Sequence, residues 1–275
     1  MSIQHKFLNI PAGIGEFPDP NFFTENGILK NSFYKPEVMI IGTFNPNTPH
    51  ANFADFFYGR NYFWTGFKQM RYPNHEFLAK RRMPPNGHPV LPLDPELSEV
   101  LDLCKNFKLT FSDLISQVLH IGEPVYNFLN NDNVIFNGQE YNLIQDNAGN
   151  GVLGLAQLHQ AGQVEWNTQN IINYLLDNPQ IKFIYLTRQP QGIWGQQWQT
   201  IANHEQLQNR TFMSIVTPSG LGIPNLDAPF NSRFRTILHY WVWNGLHHQI
   251  PVNNPAYGHF DHEWLERSGV DIHQF

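Results

Sequence analysis

Cysteine is almost missing from this chain: Cys104 stands alone among 275 residues. One thiol excludes an internal disulfide and any zinc or iron–sulfur centre built on several cysteines. Long apolar runs are missing as well, and nothing approaches the roughly 18 consecutive apolar residues of a membrane span. The opening stretch, MSIQHKFLNIPAGIGEF, has neither a basic head nor an apolar core. No signal peptide is therefore expected, and the expected location is cytoplasmic, nucleoid-associated in a bacterium. The chain has no Walker loop and no Gly-x-Gly-x-x-Gly. Pro218-Ser219-Gly220 lacks the first glycine of a nucleophile elbow, which argues against a serine hydrolase. His247-His248 and His259-Phe260-Asp261-His262 contain ligand-type residues without the helical i, i+4 spacing of a zinc motif. The expectation is no metal and no cofactor.

Charge is sparse too. Charged residues make up 15% of the chain and sum to −6. An acidic balance weighs against DNA binding, which gains affinity by neutralising phosphates. Distribution qualifies the sum. Lys68, Arg71, Lys80, Arg81 and Arg82 fall close together, opposed only by Glu76. That run reads equally as a phosphate-facing patch or as a solvated loop.

What is present is a 41% hydrophobic chain long enough for one large core. Residues 1–36 read as an N-terminal clasp packed by its aromatics. Residues 37–244 read as the main domain, with a proline-punctuated inserted loop at about 71–95. Residues 245–275 read as an irregular tail. Val38 to Ile41, Ile181 to Leu186 and Phe212 to Val216 are short continuous apolar runs, suited to strands covered on both faces. Helices are expected at Asn61 to Met70, Glu96 to Asn106 and Pro190 to Ala202, and one capped by Thr168 and stopped near Pro179. Phe234, Ile237, Leu238 and Trp241 give a helical stripe after Asn231. Leu109 to Ile115 suggests a strand passing into a helix, with Ser112 or Asp113 as its cap. Asn137-Gly138 signals a hairpin. Strands alternating with helices imply a parallel sheet, whose ligands bind outside the carboxyl ends of the strands.

Two of those strand ends carry unusual loops. Val38 to Pro46 reads VMIIGTFNP and is followed by FFYGRNYFW, Phe56 to Trp64; Ser214 to Gly222 reads SIVTPSGLG. The first loop resembles the Ile-Asn-Pro loop and later Asn-x-Phe-Trp segment of mismatch-specific uracil and thymine DNA glycosylases. It also resembles the Gly-Ser/Thr-Phe opening and Arg-Asn-x-Phe-Trp of the hypoxanthine-DNA glycosylase branch. TPSGLG is similar to the Asn-Pro-Ser-Gly-Leu loop of the mismatch-specific branch, with Thr217 in place of Asn. LTFSDLI resembles the middle strand-to-helix segment of the uracil-DNA glycosylase superfamily. The chain departs from both branches in carrying one more residue between Gly42 and Pro46.

The resemblance implies an α/β fold: a three-layer α/β/α sandwich around a mostly parallel sheet of about four strands. It implies a monofunctional DNA glycosylase in base-excision repair that hydrolyses the N-glycosidic bond of a deaminated base, uracil or hypoxanthine. The partner is DNA containing a damaged base, with no membrane and no obligate protein partner. Asn45 or Asn61 would hold the attacking water. Gly42, Thr43, Phe44, Tyr58 and Asp113 would form the base pocket. Thr217, Pro218, Ser219, Gly220, Leu221 and Arg233 would meet DNA, with Leu221 as the wedge replacing the flipped base. Each residue also has a plain structural role open to it. Asn45 suits a turn before Pro46, Asn61 a helix cap, Phe44 the core and Asp113 a cap. Two other readings stay open: a catalytically inactive nucleic-acid-binding module on the same fold, or an unrelated α/β enzyme acting on small molecules.

Overall fold

The structure is a computed structural model that describes residues 2–13, 19–47, 56–59, 61–74, 94–119, 144, 154–219, 233–244 and 257–275, with the backbone of 125–127 and 132–134. In chain order the elements are β1 Ile3–Gln4, β2 Phe22–Glu25, β3 Ile28–Asn31, β4 Val38–Gly42, α1 Phe63–Arg71, α2 Leu97–Asn106, β5 Leu109–Asp113, β6 Ile115–Val118, β7 Val125–Asn127, β8 Asp132–Val134, α3 Leu155–Gln160, β9 Val164–Trp166, α4 Thr168–Asp177, β10 Phe183–Leu186, α5 Gly192–Ala202, β11 Thr211–Ser214, α6 Arg233–Trp243 and α7 His262–Arg267.

The chain is α/β. Its centre is a four-stranded sheet in the order β11-β10-β4-β5, and every neighbouring pair is parallel. The sequence pattern explains the burial. Val38, Ile40, Leu109, Phe111 and Tyr185 enter one apolar core; Met39, Ile41, Ile184 and Leu186 enter another. Alternate residues of a strand face opposite ways. A continuous apolar run such as Val38 to Ile41 therefore supplies both cores.

Residues of α1, α2, α6 and α7 join the first core, and residues of α3, α4 and α5 join the second. In α1, Phe63, Trp64, Phe67 and Met70 recur at helical spacing and are fully buried. Gly66 brings that face against α6, since a Cβ there would stand 2.7 Å from the Trp241 ring. α2 starts with a capping box in which the Glu96 N–H donates to the Glu99 side chain at 2.9 Å.

From β4 the chain runs through α1 and α2 to β5 on one side of the sheet. From β10 it runs through α5 to β11 on the other side. The connections thus diverge between β4 and β10, and the carboxyl ends of these two strands flank the topological switch point.

Several expectations need correction. No helix follows β5. The chain turns at Leu114 straight into β6, with the Leu114 and Ile115 N–H groups donating to the carbonyls of Gly42 and Thr43. Neither Ser112 nor Asp113 therefore caps a helix. The apolar pattern carried straight on into a second strand, and propensity yielded to pairing. β6 belongs to an antiparallel sheet of order β1-β6-β9.

Thr168 is the first residue of α4, not its cap. That place is taken by Asn167, while the Thr168 hydroxyl donates to Gln197 Oε1 at 2.6 Å. The described part of the tail is not irregular. It forms α7, capped by Asp261, and buries Phe260, Trp264, Leu265, Val270 and Ile272 in the first core. The Asn137-Gly138 hairpin and most of the inserted loop lie outside the described residues.

The N-terminal clasp does pack by aromatics, with Phe7 and Phe22 buried in the first core. It also holds a hairpin, β2 with β3, turning at Asn26 and Gly27, both in the left-handed region.

Candidate active site

The site begins with two neighbouring strand ends. Gly42 and Asp113 are paired in the β4–β5 ladder, so the carboxylate springs from the residue beside the first loop. A Cβ on Gly42 would overlap Asp113 Oδ1 and stand 2.6 Å from the Tyr58 hydroxyl. Glycine is required there because two polar groups close over its Cα.

Asp113 is 1% exposed. Its Oδ2 accepts two hydrogen bonds, from Asn45 Nδ2 at 2.6 Å and from His5 Nε2 at 2.8 Å. A carboxylate only accepts, so the Asn45 carboxamide must present its nitrogen to Asp113 and its oxygen elsewhere. The Phe7 N–H donates to His5 Nδ1 at 3.0 Å, which leaves the proton on Nε2 and makes His5 a neutral donor to Asp113. No donor among the described residues reaches Asp113 Oδ1.

His5 comes from the clasp. Its N–H donates to the carbonyl of Ser116 on β6, while the Lys6 N–H donates to Asn45 and the Asn47 N–H to Gln4. The N-terminal segment is thus stitched between β6 and the first loop. The composition of the clasp gave no hint of this role. A signal was available: Ile3, His5 and Phe7 alternate with Gln4 and Lys6, which puts His5 on the buried face of an extended segment.

Thr43, Phe44 and Asn45 are half-buried, and Pro46 is buried. The Phe44 ring lies 6.1 Å from that of His5 and packs against the second core. Tyr58 adopts a positive φ of 60° and stacks on Phe63 at 4.5 Å. Its hydroxyl lies 3.3 Å from that of Thr187, at the end of β10. Burial, and next the Asp113 carboxylate, push the Tyr58 phenol well above its ordinary range, so it stays protonated. Trp64 locks the FFYG turn by donating its indole N–H to the carbonyl of Phe57.

The two loops meet. The Tyr62 N–H donates to the Pro218 carbonyl at 3.0 Å. From behind, the Trp241 indole donates to the Val216 carbonyl at 2.8 Å. The Thr217 and Ser219 hydroxyls lie 3.2 Å apart and half-buried.

Asn61 is not the cap of α1, a place taken by Tyr62; its Oδ1 accepts from the Phe63 N–H at 3.0 Å in a turn just before the helix. Gly220 and Leu221 lie outside the described residues, and Arg233 begins α6. The basic run is only partly described. Within it, Lys68 pairs with Asp94 and Glu99, both at 2.7 Å, so it serves the junction of α1 with α2. Arg188, which no sequence motif marks, follows β10 and lies over the Trp194 ring at 4.6 Å.

Among the described residues no group of three His, Cys, Asp or Glu side chains gathers as metal ligands. His259 and His262 instead face carbonyls, of Phe260 and Val242. No helix among the described residues is long and apolar enough to cross a membrane. Compared with protein-family models, curated proteins and solved structures, the chain matches none.

Proposed function

We propose that this chain is a monofunctional DNA glycosylase that hydrolyses the N-glycosidic bond of a deaminated base, uracil or hypoxanthine, in base-excision repair. The fold in this reading is the three-layer α/β/α sandwich of the uracil-DNA glycosylase superfamily. The supporting observation is the Asn45–Asp113 hydrogen bond at the carboxyl ends of β4 and β5, with the Thr217–Ser219 loop joined to the same end of the sheet through Tyr62 and Pro218.

In the reaction a water oxygen bonds to C1′ of the sugar. The C1′–N bond breaks and its electron pair leaves with the base. The transition state is oxocarbenium-like, so the site must place the water and spread the charge of the leaving base. Asn45 is the residue in this reading that orients the water, through its carboxamide oxygen, because its nitrogen is committed to Asp113. Phe44 and Tyr58 flank the base, and the strand-end cleft takes the nucleotide once it leaves the stack, at roughly a few kcal/mol. The hydroxyls of Thr217 and Ser219 contact a phosphate, Gly220 and Leu221 enter the duplex, and Arg233 follows toward the backbone.

The test is base release from oligonucleotides that each carry one uracil, hypoxanthine, xanthine or mismatched thymine. Abasic sites formed by the wild-type chain and lost in Asn45→Ala support the reading. Tight binding of DNA with an abasic analogue, without release from any substrate, would instead establish the inactive binding module.

A further inference from the structure

Arg71, the last residue of α1, has no counter-ion among the described residues, unlike the cations near it. Lys68, one turn earlier, pairs with Asp94 and Glu99, and Lys108 and Arg267 both pair with Glu37. The Arg71 guanidinium is nonetheless fixed in place. Its Nη1 donates to the Gly269 carbonyl at 3.3 Å, and a Cβ on Gly269 would stand 3.0 Å from the group. It lies over the Tyr72 ring at 5.3 Å. Its Nε is buried without a hydrogen-bond partner among the described residues. Part of this charge is thus withdrawn from water with nothing to compensate it, and an anion from outside would complete the arrangement.

There is room beside it. Arg71, Tyr72, Pro73 and Asn74 line an open pocket of about 370 Å³, a size that suits a small organic ligand. The wall is pinned at two points: the Tyr72 N–H donates to the Lys68 carbonyl at 2.9 Å, and the Gln69 amide to the Pro73 carbonyl at 2.6 Å. Tyr72 is 48% exposed. Because α1 starts beside the candidate active site, its length puts this pocket roughly 14 Å away along the helix axis. It is a separate site.

We propose that this pocket binds a nucleotide, with Arg71 on the phosphate and Tyr72 stacked on the base. A phosphate supplies the charge that the guanidinium lacks, through charge-assisted hydrogen bonds to its terminal nitrogens. A base covers the exposed ring, as bases do on aromatic platforms. The Asn74 amide, which both donates and accepts, reaches the base edge. The inference stands apart from the glycosylase reading. The nucleotide is either free or one unit of a single strand, and the two sources share this chemistry.

The test is calorimetric titration of the full chain with adenosine monophosphate, adenosine, inorganic phosphate and a short single-stranded oligoadenylate. The expected result is that the monophosphate binds about tenfold or more tighter than adenosine or phosphate alone. Arg71→Gln should weaken it about tenfold or more and Tyr72→Leu about five- to tenfold, in the range of a charge-assisted contact and a base stack. Asn45→Ala should bind as wild type. Tyr72 is exposed, so Tyr72→Leu keeps its fold and carries the test even if Arg71→Gln does not. Tighter binding of the oligonucleotide, with the same dependence on Arg71 and Tyr72, assigns the pocket to a strand. Binding of the monophosphate without the oligonucleotide assigns it to a free nucleotide. Three results overturn the proposal: no binding of either, phosphate binding as tightly as the monophosphate, or binding that Asn45→Ala abolishes and both pocket variants spare. Base release is scored separately, so the glycosylase reading stands or falls on its own assay.

Discussion

The Tyr62 N–H donates to the carbonyl of Pro218 at 3.0 Å, and this bond joins two loops that the sequence keeps far apart. Tyr62 precedes α1 and Pro218 follows β11, so the contact joins the segments that leave the carboxyl ends of β4 and β11. The fold supplies the rest of the arrangement. Trp241 holds the second loop from α6, and Trp64 holds the turn before α1.

Replacing Gly42 by alanine should damage both stability and chemistry. The new methyl would overlap Asp113 Oδ1 and crowd the Tyr58 hydroxyl. Overpacking at such a site costs about 1–3 kcal/mol. Urea unfolding should show that loss, and base release should fall further than stability explains. A Gly42→Ala chain as stable and as active as wild type would mean that Asp113 and Tyr58 can move aside freely.

Asn61→Ala should behave as the loss of a turn bond ahead of α1, whose cap is Tyr62. The lost bond to the Phe63 N–H costs about 0.5–1.5 kcal/mol, and the midpoint of denaturation should fall accordingly. Base release, measured below that midpoint, should stay within a few-fold. A large loss of release at unchanged stability would return Asn61 to the chemistry.

Trp241→Phe tests how the second loop is held. The Val216 carbonyl would lose its indole donor inside the core, at about 1–3 kcal/mol. Binding to abasic-analogue DNA should weaken by more than it does in Asn61→Ala, because Thr217, Pro218 and Ser219 follow directly. Unchanged affinity would detach that loop from DNA binding.

Alkaline pH offers a test of burial. Tyr34, Tyr58 and Tyr185 are all pushed above the ordinary phenol range, chiefly by burial. A raised value in the folded state means that folding favours the neutral phenol. Stability from these groups is complete below about pH 10, the unfolded value, and declines as pH rises toward their folded values. Spectrophotometric titration should show a set of tyrosines ionising only together with loss of the native fold. Ionisation of all ten tyrosines near pH 10 in a chain that remains folded would contradict this.

Much of the architecture was legible in the sequence. Val38 to Ile41 and Ile181 to Leu186 are apolar throughout because both faces of the sheet are covered, and the structure pairs their strands directly. The stripe from Phe234 to Trp241 marked α6 for the same reason of one-sided burial. The turn at Leu114 was not legible, because an apolar run gives no sign of whether it continues as strand or helix. Nor was the helical tail, whose buried Trp264 and Leu265 sit among polar residues.

The candidate site was readable only where residues are neighbours in the chain. Gly42, Asn45 and Asp113 fell within two short segments, VMIIGTFNP and LTFSDLI, that the resemblance singled out. The partner of Asp113, His5, arrives from a distant segment through β1, and only its period-2 neighbours hinted that it is buried. The basic run left Lys68 open between phosphate and solvent, and the structure pairs it with two carboxylates, which a count of charges does not reveal.

The central claim is that Asn45, held by Asp113, orients the water that cleaves a glycosidic bond. The most direct measurement is alkali-revealed abasic sites in labelled duplex and single-stranded oligonucleotides with one uracil or hypoxanthine, comparing wild type with Asn45→Ala. The expected result is strand breaks at the damaged base with wild type, and a loss of about 100-fold or more with Asn45→Ala at unchanged affinity for abasic-analogue DNA. Equal release by the two chains, or none by either, would contradict the claim.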